Sequence, residues 1–351
     1  MAGASPEGWR APYARSWLDA LTDWTAHRPI PEAAFYIVVG LAAAAILTLA
    51  SWLGDAYPVG TLSPIHVLLG FAIGLYPWLI RRFNVGAARA LGALDPLLTV
   101  DAGERDALEY RLTNLPFTPA LVGGAVVAAI SLARIATSPS LLDDLDFAGE
   151  PVALAASLAV LVTFAFIGAT IPLKFGYQAW LIHRITTRHI RIGLFEIARL
   201  YAFASLTGAM AAVLVVTGLV FYLAAPALVA TYDPIGFSSL VIGVSLAASV
   251  FVLPLAGVHG RLVAEKERLR GIARESIAIA TAELHRVVQA NELPAMDPLN
   301  KAIASLDIEY RSINDAPTWP WRPDTFRWVI GVLMIPFAIF VLQQIVPRLL
   351  P

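Results

Sequence analysis

Histidine is the side chain best suited to proton transfer near neutral pH and to metal binding, and this chain carries six histidines and no cysteine. His183 and His189 are six residues apart. On a helix that spacing puts them on different faces, whereas two ligands to one metal need three or four. His66 stands near the outer end of an apolar run, where a hydrogen bond to backbone or water is the plain expectation. Without cysteine there is no thiolate nucleophile, thiolate metal site or iron-sulfur cluster. HExxH, GxSxG, the P-loop and the dinucleotide-binding glycine pattern do not occur. The expectation is therefore a non-enzymatic protein with no catalytic residue, metal or cofactor.

What remains is a set of polar interruptions in a very apolar chain. Pro336 falls near the middle of the last hydrophobic stretch, where its missing NH frees the carbonyl of Val332 and favours a kink. About two turns further on, Gln343 and Gln344 place adjacent amides in the same run. Successive helical residues point about 100° apart, so the two cannot both hide against one neighbour. These three residues are the candidates for a polar path, with His66 as a further one.

Hydrophobic residues make up 58% of the 351 residues and charged ones 15%, a balance that excludes a soluble globular domain and a disordered chain alike. A formal charge of -1 gives no overall basic field for nucleic acid. Spanning a bilayer takes about 20 apolar residues. Seven stretches qualify, approximately 33–53, 61–80, 115–133, 152–173, 201–226, 235–258 and 328–346, and all 26 acidic residues fall outside them. An ion-coupled carrier usually keeps a carboxylate within the membrane, so that class is disfavoured. The fold class is all-α, a polytopic membrane protein with seven transmembrane helices. Gly70 with Gly74, and Gly123 with Gly124, are candidate close crossings.

Charge then sets orientation. Of the 25 lysines and arginines, 23 lie on the side of the N-terminus, and only Arg134 and Arg348 lie on the other. The positive-inside tendency places the N-terminus in the cytoplasm and the C-terminus outside, in the plasma or inner membrane. The outer loops are short and acidic, with no room for a folded domain. The first 32 residues lack a signal-peptide pattern. From Tyr13 to Trp24 they read as an amphipathic helix, either on the membrane surface or packed on the protein itself.

Residues 1–258 thus hold six spans and the N-terminal segment, 259–315 a cytoplasmic helical hairpin, and 316–351 an aromatic anchor with the seventh span. In the hairpin, 259–291 puts Leu262, Leu269, Ile272, Ile279, Leu284 and Val287 toward one face and continues the sixth span as one rod. Asp297 and Pro298 supply an N-cap and first-turn pair for a second helix carrying Leu299, Ile303, Leu306, Tyr310 and Ile313. Trp319, Trp321 and Trp328 form an interfacial anchor before the last span.

This topology, with its glutamines near the end of the last helix, is similar in outline to the insect chemoreceptor channels, and the likeness implies a channel-like oligomer. The leading expectation is such a channel, with helix 7 bordering a polar path and cytoplasmic helices joining identical subunits. The alternatives are a membrane-embedded scaffold or sensor acting through its cytoplasmic helices, and an uncoupled small-molecule transporter. The expected partners are the lipid bilayer and further copies of the chain, not nucleic acid.

Overall fold

The computed structural model describes residues 11–138, 140–191, 193–224, 234–291 and 293–349. In chain order its helices are α1 (Trp17–Ala26), α2 (Glu32–Leu53), α3 (Pro64–Ala93), α4 (Ala102–Thr113), α5 (Phe117–Thr137), α6 (Ser140–Asp144), α7 (Pro151–Arg188), α8 (Tyr201–Ala224), α9 (Pro234–Gln289), α10 (Leu293–Asp315) and α11 (Pro323–Leu349). There is no strand among the described residues. Seven helices are long and apolar enough to cross a membrane, and they coincide with the seven expected spans. Arg10, Ile192, Pro226 and Asp233 lie outside the described residues.

Local sequence sets the helix starts. Ser63 precedes Pro64 and Glu150 precedes Pro151, so a proline with fixed φ and no NH occupies a first-turn position where the donor is not needed. The Glu150 carboxylate also accepts from Ala153 N at 2.8 Å, and Asp101 accepts from Glu104 N at 2.7 Å to start α4. Helices α3, α7, α8 and α9 form the inner layer, with α2 against α3 and α7, α5 against α7, and α11 against α8. Phe83 and Phe175 meet edge to face with centroids 4.7 Å apart at the α3–α7 contact.

The tightest crossing is α2 on α3. A Cβ on Gly74 would sit 2.2 Å from the Tyr36 carbonyl oxygen, and one on Gly70 would sit 2.5 Å from that of Gly40. The Gly70–Gly74 pair is therefore a backbone-to-backbone approach. Gly123 and Gly124 do something else, receiving the side chains of Leu173 and Phe166 from α7.

One end of the bundle carries α1, α4 and the outer half of α9 with α10, and it is the basic face. The other end is the acidic face, where residues 141–149 fold over α2 and α3. There Asp146, at φ 54°, accepts from Ser51 through its carbonyl and from Ser63 through its carboxylate. The N-terminal segment packs on the protein. Leu18, Thr22 and Thr25 of α1 are buried, Ser16 N donates to Leu115 O at 2.7 Å, and Phe117 N donates to Ala14 O at 2.9 Å.

Helix α9 is one continuous rod of 56 residues, and α10 returns antiparallel along it. Its buried seam differs from the expected one. Leu262, Lys266, Leu269, Ala273, Ser276, Ala280, Glu283 and Val287 follow the alternating three- and four-residue spacing of a coiled coil and are all at least partly covered. Ile272 and Ile279 sit to one side, exposed at 50% and 65%. A 3.5-residue seam is narrower than a general apolar stripe, which is why two isoleucines counted with the core fall off it. The expected face of α10, Leu299 to Ile313, is the one that packs. α10 begins at Leu293, earlier than the Asp297–Pro298 signal, and carries Pro298 inside. The carbonyl of Pro294 that Pro298 leaves without a helical donor belongs to an exposed residue, where water serves it.

Gly74→Ala and Gly70→Ala should each destabilise the detergent-solubilised protein by about 1–3 kcal/mol in a thermal unfolding assay, the usual cost of overpacking. Gly331→Ala, where an added Cβ meets nothing within 4 Å, should leave stability within about 0.5 kcal/mol.

Candidate functional site

The most concentrated polar chemistry in the described chain is buried at the basic face, where α1, α3, α7 and the α4–α5 junction meet. Ser16 and Asp19 open α1 as a capping pair: Asp19 N donates to Ser16 Oγ at 3.1 Å, and Ser16 Oγ donates to Asp19 Oδ2 at 2.7 Å. Asp19 Oδ2 also accepts from Leu115 N at 2.8 Å. Its other oxygen accepts from Asn84 Nδ2 at 3.0 Å and from the ammonium of Lys174. Lys174 and Asp19 are each 1% exposed. Lys174 reaches further to donate to Thr113 O at 2.7 Å, and one turn along α7 Gln178 Nε2 donates to Leu112 O at 2.9 Å.

This arrangement ties α1, α3, α7 and the α4–α5 junction together. Both carboxylate oxygens are filled by four donors, which leaves no lone pair for a metal. The ammonium ends on a carbonyl in the last turn of α4, where unpaired carbonyls and the helix dipole favour a cation. Tyr13 closes the same corner. Its hydroxyl donates to Asn114 O at 2.7 Å, and Tyr110 donates to Tyr13 O at 2.8 Å. Burial, and then the hydroxyl of Tyr177 3.2 Å away, push the Tyr13 phenol well above the ordinary tyrosine range.

The same device recurs twice on this face. Arg261 of α9 donates to the carbonyls of Thr186, Thr187 and Ile190 at 3.0–3.2 Å, covering the end of α7. Lys266 donates to Asn314 O and Ala316 O, both at 2.7 Å, at the end of α10. Just before these two cations, a ladder of rings runs along the rod. Phe251 stacks on Trp321 at 4.9 Å, Trp321 on Trp319 at 4.5 Å, and Trp319 on His259 at 3.7 Å. Trp321 is buried in this ladder, so of the three tryptophans expected at the interface it is an internal one, while Trp328 is exposed.

Of the residues singled out by sequence, His66 and Pro336 lie apart from this cluster and from each other. His66 is fully buried at the acidic face and donates from Nε2 to Leu145 O at 3.0 Å, holding the 141–149 segment. Pro336 is buried on the side of α11 that also carries Val329 and Leu333 and faces α8. Gln343 and Gln344 belong to α11, and their side chains lie outside the described residues. His183 and His189 do not converge, and no cluster of three metal-ligating side chains occurs among the described residues. The sequence did hold a signal for the buried cluster: Ser16-x-x-Asp19 is a capping motif.

Comparison of the chain with protein-family profiles, curated proteins and solved structures finds no match.

Asp19→Asn strands a buried ammonium and should cost about 3–5 kcal/mol of stability. Lys174→Met should cost less, because Asp19 keeps its other three donors. Combining Asp19→Asn with Lys174→Met should recover a coupling of more than about 1 kcal/mol relative to the sum of the two singles. Strictly additive losses in thermal unfolding would show that the two charges do not act as a pair.

Proposed function

We propose that this integral membrane protein is a membrane-embedded scaffold or sensor that works through the α9–α10 hairpin on the cytoplasmic side. The observation that carries the reading is the unbroken run of α9 from a membrane span into a soluble two-helix seam. A hairpin meant only to join two spans does not need a rod of about 48 Å past Gly257, at 1.5 Å per residue. Arg261 ties the rod to α7 and Lys266 ties α10 to the rod, so the hairpin is held at a fixed root. Beyond that root Ile272 and Ile279, seven residues apart, form an exposed stripe on α9, and Ile308 of α10 is 66% exposed. Apolar residues at that spacing suit a helical partner protein.

The channel reading keeps one requirement. Helix α11 packs on α8 and only lightly on α9, so a pore bordered by it needs a second copy opposite its exposed side.

Orientation can be tested directly, since the chain has no cysteine of its own. A membrane-impermeant maleimide applied to intact cells should label Thr61→Cys and leave Ser305→Cys unlabelled until the membrane is opened. The reverse pattern would invert the assignment and remove the hairpin from the cytoplasm.

For the function itself, a photocrosslinking residue placed at Ile272, Ile279 or Ile308 should capture one and the same protein in intact cells, and at Arg286 it should not. The purified protein in planar bilayers should pass no unitary current. Reproducible current steps together with crosslinks only to lipid would overturn the scaffold in favour of a pore.

A further inference from the structure

A groove of about 800 Å³ lies between α2 and α3 on the outside of the bundle, within the range of about 300–1,000 Å³ typical of small-molecule sites. Its floor is the glycine crossing, where Gly40 and Gly74 bring the two backbones together, and its walls include Leu41, Ala45 and Phe71. From Ala33 to Trp52 it follows α2 for about 28 Å at 1.5 Å per residue, nearly the thickness of the hydrocarbon core. Trp78 stands at the basic end and Trp52 at the acidic end, the two levels at which tryptophan sits in a membrane.

The basic end has a further feature. Val67, Phe71, Leu75, Trp78 and Arg82 repeat every three or four residues, so they form one stripe down α3. The first four line the groove, and Arg82 is the next turn beyond it, its guanidinium 5.2 Å from the Trp78 ring. Its neighbour Arg81 is taken up by Asp23 and Glu32. Arg82 is exposed and makes no ion pair among the described residues.

We propose that this groove is a binding site for an anionic phospholipid of the leaflet at the basic face. One acyl chain lies along Leu75, Phe71 and Ala45, and the headgroup phosphate is held by Arg82. An apolar slot of membrane depth selects a hydrocarbon chain. A guanidinium without an ion pair at its end, where the aromatic belt marks the headgroup level, selects a negative headgroup over a zwitterionic one.

The test uses the full chain purified in detergent, with native mass spectrometry after adding phosphatidylglycerol or phosphatidylcholine of identical acyl chains. The wild type should retain phosphatidylglycerol about fivefold better, the factor given by about 1 kcal/mol per cation at an anionic surface. Arg82→Gln should abolish the preference while still binding both lipids, and Arg188→Gln should keep it. Ala45→Phe, which fills the slot, should lower retention of both lipids. Leu49→Trp, on the same wall, serves as a second filling variant in case the first does not fold. Equal retention of the two lipids by the wild type, an unchanged preference in Arg82→Gln, or undiminished binding in the filled variants would each overturn the proposal.

Discussion

The fold rests on cations that close the exposed ends of neighbouring helices. A helix C-terminus leaves carbonyls without donors and gathers partial negative charge, and at the basic face of this bundle several such ends come together. Here Lys174 covers the end of α4, Arg261 the end of α7 and Lys266 the end of α10. Each cation comes from a different helix than the one it covers, so every such bond is also a tie between elements. The carboxylate of Asp19 then neutralises the most buried of the three. A lysine so deeply placed is tolerable because its charge is paired and its protons go to a carboxylate and a carbonyl.

This gives the lopsided charge of the sequence two meanings. Part of it does what positive loops do in membrane proteins and favours one orientation. Another part never reaches the solvent. Lys174 counts toward the basic face by its position, yet in the structure it is a buried structural group. Arg82 is the opposite case, an exposed cation without an ion pair among the described residues at the edge of an apolar slot.

The number of candidate spans and their approximate positions were legible because they follow from length and hydropathy alone, whereas the short helices α4 and α6 were not read. The continuity of α9 was legible too, since no proline or glycine cluster breaks 259–289 after the span. The docking of α1 was open, because Trp17, Leu21 and Trp24 suit a membrane surface as well as a protein groove. It was settled by Asp19 meeting Lys174, partners 155 residues apart, and a contact of that range leaves no local pattern. The positions of Ile272 and Ile279 were misread because a seam shared with one partner helix is narrower than a core-facing stripe. His66 read as a histidine bonded to backbone or to water, and the backbone carbonyl of Leu145 is its partner.

The long rod has a mechanical corollary. Gly257 touches His183 and Thr187 of α7 closely enough that a Cβ there would meet Thr187 Cγ2 at 2.6 Å, and Arg261 grips the same helix end one turn later. Measured from those two contacts, α9 extends about 35 Å toward Pro234 and about 48 Å toward Gln289, at 1.5 Å per residue. By geometry alone, a rigid tilt of about 5° about that point would carry the Gln289 tip through about 4 Å, opposite to the Pro234 end.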